Sequence, residues 1–351
     1  MDAAFRFANE TDFLKGAAGL VIRQAKDVFC DVVAYTMDQS SDGIVMQEIS
    51  HSCGFAATDP ALWVDHFAPT AATKKPPLVL VHGGGHTGTC YLDKPDGEEG
   101  WAQRFAAHGY PVHVIDWPGM GRSGRVDYPD LTGDFVCKTI GTFIETLAEP
   151  CVLLTHSMSG AYGWRLVQNF GRRIKAVVGV APSPPGNIQD EPEILEKTDS
   201  YVVVQRGAFQ RRVDLDQPTP FNQDLVENKL IGDGDKFPRD YMSAYAASLT
   251  GTPPRLAYER GNIAGSQLKV TNTAPFTNKP ILVVTADHDR DHTKEIDGAV
   301  ADWLREIGAD ATFCYLPERG IVGNGHMMML EQNSDKIADL IAEWVDSTVL
   351  N

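Results

Sequence analysis

The chain has 351 residues, enough for one large domain with an insertion or for two domains. Hydrophobic residues make up 43% and charged residues 22%, close to the averages of soluble globular domains, which argues against disorder and against a fibrous repeat. A formal net charge of −16 argues against nucleic acid and anionic membrane surfaces as partners, because both demand a basic face, and favours a small-molecule substrate.

The N-terminal stretch MDAAFRFANETDFLKGAAGLVIRQAKD mixes charges into its apolar residues and lacks the basic start and unbroken apolar run of a signal peptide. Within the first 76 residues, FLKGAAGLVIRQAKDVF reads as a helix, and IVMQEI and ALWVDHF read as leading antiparallel strands. Short apolar runs bounded by turn signals follow: LVLVHGG, PVHVIDWPG, CVLLTHS, AVVGVAPSP, ILVVTADHD and TFCYLPE. Runs of this kind belong to strands buried on both faces. Helix-period stretches alternate with them, namely GEEGWAQRFAAHG, FVCKTIGTFIETLAE, SGAYGWRLVQNFG and EIDGAVADWLREIG, and SDKIADLIAEWVDSTV closes the chain as an amphipathic helix. The alternation specifies an α/β architecture with a mostly parallel central sheet covered by helices on both faces.

Residues 185–280 break this rhythm. They are charged and contain prolines, with one plausible helix in PRDYMSAYAASL, and they are too long for an ordinary strand-to-helix connection. The expectation is an inserted lid over residues 185–280, with residues 1–184 and 281–351 forming the core. No segment reaches the roughly 20 apolar residues of a membrane span. The six cysteines (Cys30, Cys53, Cys90, Cys137, Cys151, Cys314) form no C-x-x-C pair, which argues against zinc and against a disulfide framework and points to a reduced, cytoplasmic protein.

The stretch Thr155-His156-Ser157-Met158-Ser159-Gly160 joins a buried strand to a helix pattern and is a version of the G-x-S-x-G nucleophile elbow, with Ser157 at its centre. A serine in this place is also a common helix N-cap, so the elbow needs company. His82-Gly83-Gly84-Gly85 ends the first long apolar strand as an H-G-G-G loop. Acyl transfer builds negative charge on a carbonyl oxygen, and backbone N–H groups must be aimed at it; Gly84, with Gly85 as its alternative, and Met158 are the candidate donors. A phosphate-cradling loop is the rival, but no Lys-Ser/Thr follows. His326, in GNGHMMM after the last strand, is the candidate base. An orienting carboxylate comes from ILVVTADHDRDH, where Asp289 is preferred, Asp287 is the alternative and Asp291 reads as a turn cap. His86 and Trp117 join Gly85 as candidate pocket residues, Trp117 at the mouth; His156 packs beneath the turn, and Asp116 and Arg122 brace the DWPGMGR loop.

From about Pro77 to the C-terminus these motifs, in this order, resemble the α/β-hydrolase superfamily: HGGG, DWPGMGRSG, the elbow, then the acid and histidine loops. THSMSG, the DGEEGW segment and GNGHMMMLEQN are further similar to a bacterial esterase subgroup in which a V-E-P glutamate can serve as the acid. Here that motif is Val180-Ala181-Pro182, so the ordinary Ser-Asp-His order, Ser157, Asp289, His326, is expected instead. The resemblance implies a serine hydrolase acting on a carboxylic ester or lactone, with no metal or organic cofactor. Cleavage of a carbon–carbon bond on the same scaffold, or ligand binding with little turnover, are the rival functions. A homodimer is the base-rate expectation for quaternary structure.

Overall fold

Six of the strands come from the six apolar runs; five of them lie inside the sheet, where helices cover both faces, but the strand from TFCYLPE, expected to be buried on both faces, is an edge strand and only partly buried. The computed structural model describes residues 21–24, 30–34, 48–206 and 209–350. In chain order the strands are β1 (Val21–Gln24), β2 (Cys30–Ala34), β3 (Ile49–Ala56), β4 (Leu62–Pro69), β5 (Leu78–Val81), β6 (Val112–Ile115), β7 (Cys151–His156), β8 (Ile174–Val180), β9 (Glu193–Lys197), β10 (Tyr201–Arg206), β11 (Phe209–Asp214), β12 (Pro280–Thr285) and β13 (Asp310–Tyr315). The helices are α1 (Trp101–Ala107), α2 (Gly133–Thr146), α3 (Ser159–Phe170), α4 (Gln223–Leu225), α5 (Met242–Ser248), α6 (Pro254–Arg260), α7 (Lys294–Glu306) and α8 (Ser334–Val349).

Ten strands form one sheet in the order β1-β2-β3-β4-β6-β5-β7-β8-β12-β13. The first four run antiparallel and meet the rest through an antiparallel β4–β6 pair; from β6 to β13 every pairing is parallel. Alternation along the strands divides the core. Leu78, Leu80, Val152, Leu154, Leu282 and Val284 pack on one face against Trp101 and Phe105 of α1 and Ile337 and Ile341 of α8. Val79, Val81, Leu153, Ile281 and Val283 pack on the other against Ile140 of α2, Leu166 of α3 and Val300 and Leu304 of α7. Side-chain caps set two helix starts: Thr132 accepts from the Phe135 N–H, and Thr293 from the Ile296 N–H.

Two expectations need correction. Part of the helix expected over FLKGAAGLVIRQAKDVF is strand β1, paired in register with β2 from Val21↔Val33 to Gln24↔Cys30. The β-branched residues Val21, Ile22, Val32 and Val33 suit a cross-strand ladder better than a helix, and the rest of that stretch lies outside the described residues. Within 185–280 the single expected helix is present as α5, but β9, β10 and β11 add a three-stranded antiparallel sheet. Its edge strand β9 is exposed along its whole length, so no apolar alternation marked it.

One ionic clamp locks α1 to α8. Arg104 donates from Nε and Nη2 to the two carboxylate oxygens of Asp339, both at 2.7 Å, and His108 Nε2 reaches Oδ1 at 2.7 Å. Burial pushes the Asp339 carboxyl up, but the bonds from His108 and Arg104 outweigh it and bring the pKa down to about 2. The folded pKa is therefore below the unfolded one, so the clamp's contribution is present above about pH 4 and is lost as pH falls toward 2. Because the pair is about one-third exposed, Asp339→Asn should cost only about 1 kcal/mol at pH 7. Urea titrations should show that difference shrinking below pH 4.

Candidate active site

β7 ends at His156, and the next residue reverses the chain: Ser157 has φ 52°, in the left-handed region that a side chain adopts only under strain. The turn is held by its own backbone. The Ser157 N–H donates to the Val180 carbonyl at 3.0 Å, and the Ser157 carbonyl accepts from Gly160 and Ser183, each at 2.8 Å. Ser159 stands where glycine is commoner in such turns, and its hydroxyl does a job: Oγ accepts from the His156 N–H at 2.9 Å and lies 2.9 Å from the Val81 carbonyl, tying the elbow to β5.

His326 arrives on the loop after β13. Its Nε2 lies 2.8 Å from Ser157 Oγ and its Nδ1 lies 2.5 Å from Asp289 Oδ2. All three side chains are buried. Asp289 Oδ1 accepts from the Asp291 N–H at 2.9 Å and the His292 N–H at 3.0 Å. Burial pushes the Asp289 carboxyl up, but His326, His292 and these bonds outweigh it and hold it below the ordinary carboxylate range. It stays an anion facing the imidazole.

The alternative acid does something else. Asp287 accepts from the Gly323 N–H and, at 3.0 Å, from the Asn324 N–H, so it anchors the histidine loop rather than the imidazole. Asp291 pairs with Lys229 of the insertion. Ala181, at the V-E-P position, is a buried methyl with φ 44°.

The H-G-G-G loop lies over the elbow. A Cβ built on Gly84 would come 2.8 Å from Met158 Sδ, so the Gly84 and Met158 backbones are neighbours. Neither amide donates to a protein group among the described residues. His86 is buried and uses both ring nitrogens: Nδ1 donates to the Gly84 carbonyl at 2.9 Å, and Nε2 accepts from the Tyr245 hydroxyl at 2.9 Å. Burial drives its pKa down to about 3, so it is a neutral brace for this loop with no nitrogen left for a substrate oxygen. Trp117 is not at a pocket mouth. It is fully buried, stacked on His82 with ring centroids 4.5 Å apart and set edge-on to Tyr162. Gly85 has φ 74°, and an added Cβ would overlap the Phe221 ring.

Several supporting residues were not foreseen. Glu331 is buried under the histidine loop and accepts from the Gly325 N–H at 2.6 Å and from Asn324 Nδ2; burial pushes its pKa up to about 7. His292 stacks on His326, ring centroids 5.2 Å apart, and donates from Nδ1 to buried Asp297 at 3.0 Å. Burial opposes its protonation, yet Asp297 and Asp289 outweigh burial and raise its pKa. His156 is fully buried beneath the turn, with Nε2 donating to the His326 carbonyl at 3.0 Å. The clearest sequence signal for any of these was the HDRDH run itself, which holds His292 among acids; nothing local marked Glu331, Phe221 or Tyr245. The expected bracing role of Asp116 and Arg122 matches the bonds they make: Asp116 accepts from the Gly88 N–H at 2.7 Å and from Arg122 Nε at 2.9 Å.

A cavity of about 260 Å³ adjoins His86, Cys90 and Tyr245, behind the H-G-G-G loop, and no residue of the Ser157-His326-Asp289 series lines it. Among the described residues no group of three or more His, Cys, Asp or Glu side chains is arranged to hold a metal ion.

Fold and site together define a class, and the sequence agrees: residues 78–340 match the alpha/beta hydrolase family, to which this chain belongs. A fungal protein named "Probable secreted lipase phiG" (Fungal sp., strain ATCC 74256) is 24% identical over 344 residues, covering 81% of this chain and 85% of its own. A 2-hydroxy-6-oxononadienedioate/2-hydroxy-6-oxononatrienedioate hydrolase of Paraburkholderia phymatum is 24% identical over 201 residues, covering 54% of this chain and 65% of its own. Among solved structures, a novel bacterial esterase superposes with a TM-score of 0.52 at 19% identity over 95% of this chain and 98% of its own. A methylesterase from Arabidopsis does so with a TM-score of 0.53 at 14% identity over 78% of this chain and 100% of its own.

Gly85→Ala should lower unfolding free energy by about 2–4 kcal/mol, from left-handed strain plus overpacking against Phe221. Adding Phe221→Ala should recover at least about 1 kcal/mol of that loss, a coupling that a double-mutant cycle in denaturant would read.

Proposed function

We propose that this protein is a serine hydrolase that cleaves a carboxylic ester or lactone through an acyl-enzyme on Ser157. The observation that carries the reading is the unbroken series of hydrogen bonds from buried Asp289 through His326 to Ser157 Oγ. In the proposed mechanism Ser157 Oγ attacks the acyl carbon as its proton passes to His326 Nε2, and Asp289 holds the imidazole's other N–H and stabilises the imidazolium. The carbonyl oxygen becomes an oxyanion held by the N–H groups of Gly84 and Met158. His326 then protonates the departing alcohol, and a water activated by the same imidazole releases the acid.

The insertion supports a lid role because it touches both catalytic loops. The Thr250 N–H donates to the Gly85 carbonyl at 2.8 Å, and the Asp235 N–H to the Gly323 carbonyl at 3.1 Å. Gly325, beside His326, is approached so closely by the Ile231 carbonyl that any side chain there would collide with it. We assign the substrate-covering role to residues 185–280 on these contacts.

A second reading is hydrolysis of a carbon–carbon bond beside a ketone by the same serine, and the name of the P. phymatum relative, a hydrolase of 6-oxo dioates, favours keeping it. Ester and diketone panels separate the two. For compartment, the cytoplasmic reading rests on the cysteine pattern. No helix among the described residues is long and apolar enough to cross a membrane, and the fungal relative is named as secreted. Fractionation of the native host distinguishes the two locations.

On a p-nitrophenyl ester, Ser157→Ala should lower kcat by about 10⁶-fold and abolish fluorophosphonate labelling. Asp289→Asn should lower kcat by about 10⁴-fold, and Asp287→Asn by about tenfold or less, since it holds a loop rather than the imidazole. Equal losses from the two aspartates would remove Asp289 from its assigned role.

A further inference from the structure

The insertion meets the H-G-G-G loop at a residue whose one polar side-chain atom has no protein partner. Thr252 lies just before the Pro253-Pro254 pair that opens α6. A residue before proline is held to extended backbone, and a β-branched side chain has few rotamers, so the sequence itself makes this a stiff position. Hydrogen bonds then fix it in place. The Thr252 N–H donates to the Thr219 carbonyl at 2.9 Å, and the Thr219 N–H donates to the Thr252 carbonyl at 2.8 Å. Two residues earlier, the bond from the Thr250 N–H to the Gly85 carbonyl ties the segment to the H-G-G-G loop.

The Thr252 side chain is buried, with 5% of the residue exposed, yet its Oγ1 has no hydrogen-bond partner among the described residues. Thr219 and Thr250 also carry unpartnered hydroxyls, but those are sealed from solvent, whereas Thr252 Oγ1 is not. A buried hydroxyl left unpaired costs about 1–3 kcal/mol, and one held so in a rigid frame is open to a ligand acceptor. Its position says which acceptor. A Cβ built on Gly84 would lie 2.8 Å from Met158 Sδ, 3.5 Å from Met158 Cβ and 3.6 Å from Thr252 Oγ1. The residues of both assigned oxyanion donors and this hydroxyl therefore surround one point. The nitrogen and Cβ of one residue are about 2.5 Å apart, so Thr252 Oγ1 is within about 6 Å of the Gly84 nitrogen. Two donors that each sit about 2.9 Å from one oxygen can be as much as about 6 Å apart, so a single oxyanion can accept from both.

We propose that the Thr252 hydroxyl is a third donor to the oxyanion, supplied by the insertion beside the Gly84 and Met158 amides. This rests on the serine-hydrolase reading and adds a catalytic residue to it. The test pairs Thr252→Val, which keeps the shape and removes the hydroxyl, with Thr252→Ser, which keeps the hydroxyl. Acylation and deacylation both pass through an oxyanion, so on a p-nitrophenyl ester Thr252→Val should lower kcat by about 10–100-fold with KM changed by less than about threefold. Thr252→Ser should stay within about threefold of the unaltered protein in both constants. Thr252→Val gives up no protein hydrogen bond, so its thermal melt should be unchanged or raised, which a merely structural role would not allow. In the alkylphosphonate adduct of the unaltered protein, Thr252 Oγ1 should lie within about 3.2 Å of the phosphoryl oxygen. A kcat loss below about tenfold in Thr252→Val, a loss in KM alone, equal losses in the Val and Ser variants, or an adduct with Oγ1 beyond about 4 Å would each overturn the assignment and leave the hydrolase reading standing. If the unaltered protein hydrolyses no ester and takes no fluorophosphonate label, both fall.

Discussion

A buried carboxylate has to be compensated, and the carboxyl edge of this sheet is organised around the compensation of Asp289. Its two oxygens take three partners: the imidazole of His326 and the N–H groups of Asp291 and His292. Remove those partners and an isolated anion would sit in a site that excludes water, a state proteins avoid by protonating the group. With the partners in place the carboxylate fixes which nitrogen of His326 carries the proton and aims the other at Ser157. His292, held by Asp297 and stacked on His326, packs the imidazole from the side.

Everything else at the edge acts on the loops that deliver these groups. Asp287 and Glu331 bind backbone amides of the residues just before His326, so two further carboxylates hold the histidine loop without touching the imidazole. On the other side, His86 and Tyr245 brace the H-G-G-G loop, and Phe221 fills the space that only a glycine at position 85 leaves open. Because Tyr245 and Phe221 come from the insertion, that segment helps to shape the H-G-G-G loop.

Much of this was legible before any coordinates. Strands buried on both faces must be continuously apolar, and the parallel strands β5, β6, β7, β8 and β12 announced themselves in that way. The H-G-G-G loop, the small residues around Ser157 and the acid and histidine that follow are residue types the chemistry requires, and the side chains proposed from them meet in space. The parts that stayed hidden depend on tertiary partners. Nothing in EILEK distinguishes an exposed edge strand from a charged loop, and Val21–Gln24 pairs as a strand inside a stretch whose spacing suits a helix. Trp117 belongs to a motif loop but turns inward onto His82, a direction that no spacing encodes. Glu331 matters through two amides that come near it only after the chain has folded.

The central claim is that Ser157, aimed by His326, attacks an acyl carbon whose oxygen is received by the amides of Gly84 and Met158. A crystal structure of the adduct with a p-nitrophenyl alkylphosphonate tests this most directly. The account requires phosphorus bonded to Ser157 Oγ, with the phosphoryl oxygen within hydrogen-bonding distance of both amides and His326 Nε2 still facing Oγ. An adduct on another residue, or a phosphoryl oxygen turned away from both amides, would contradict it.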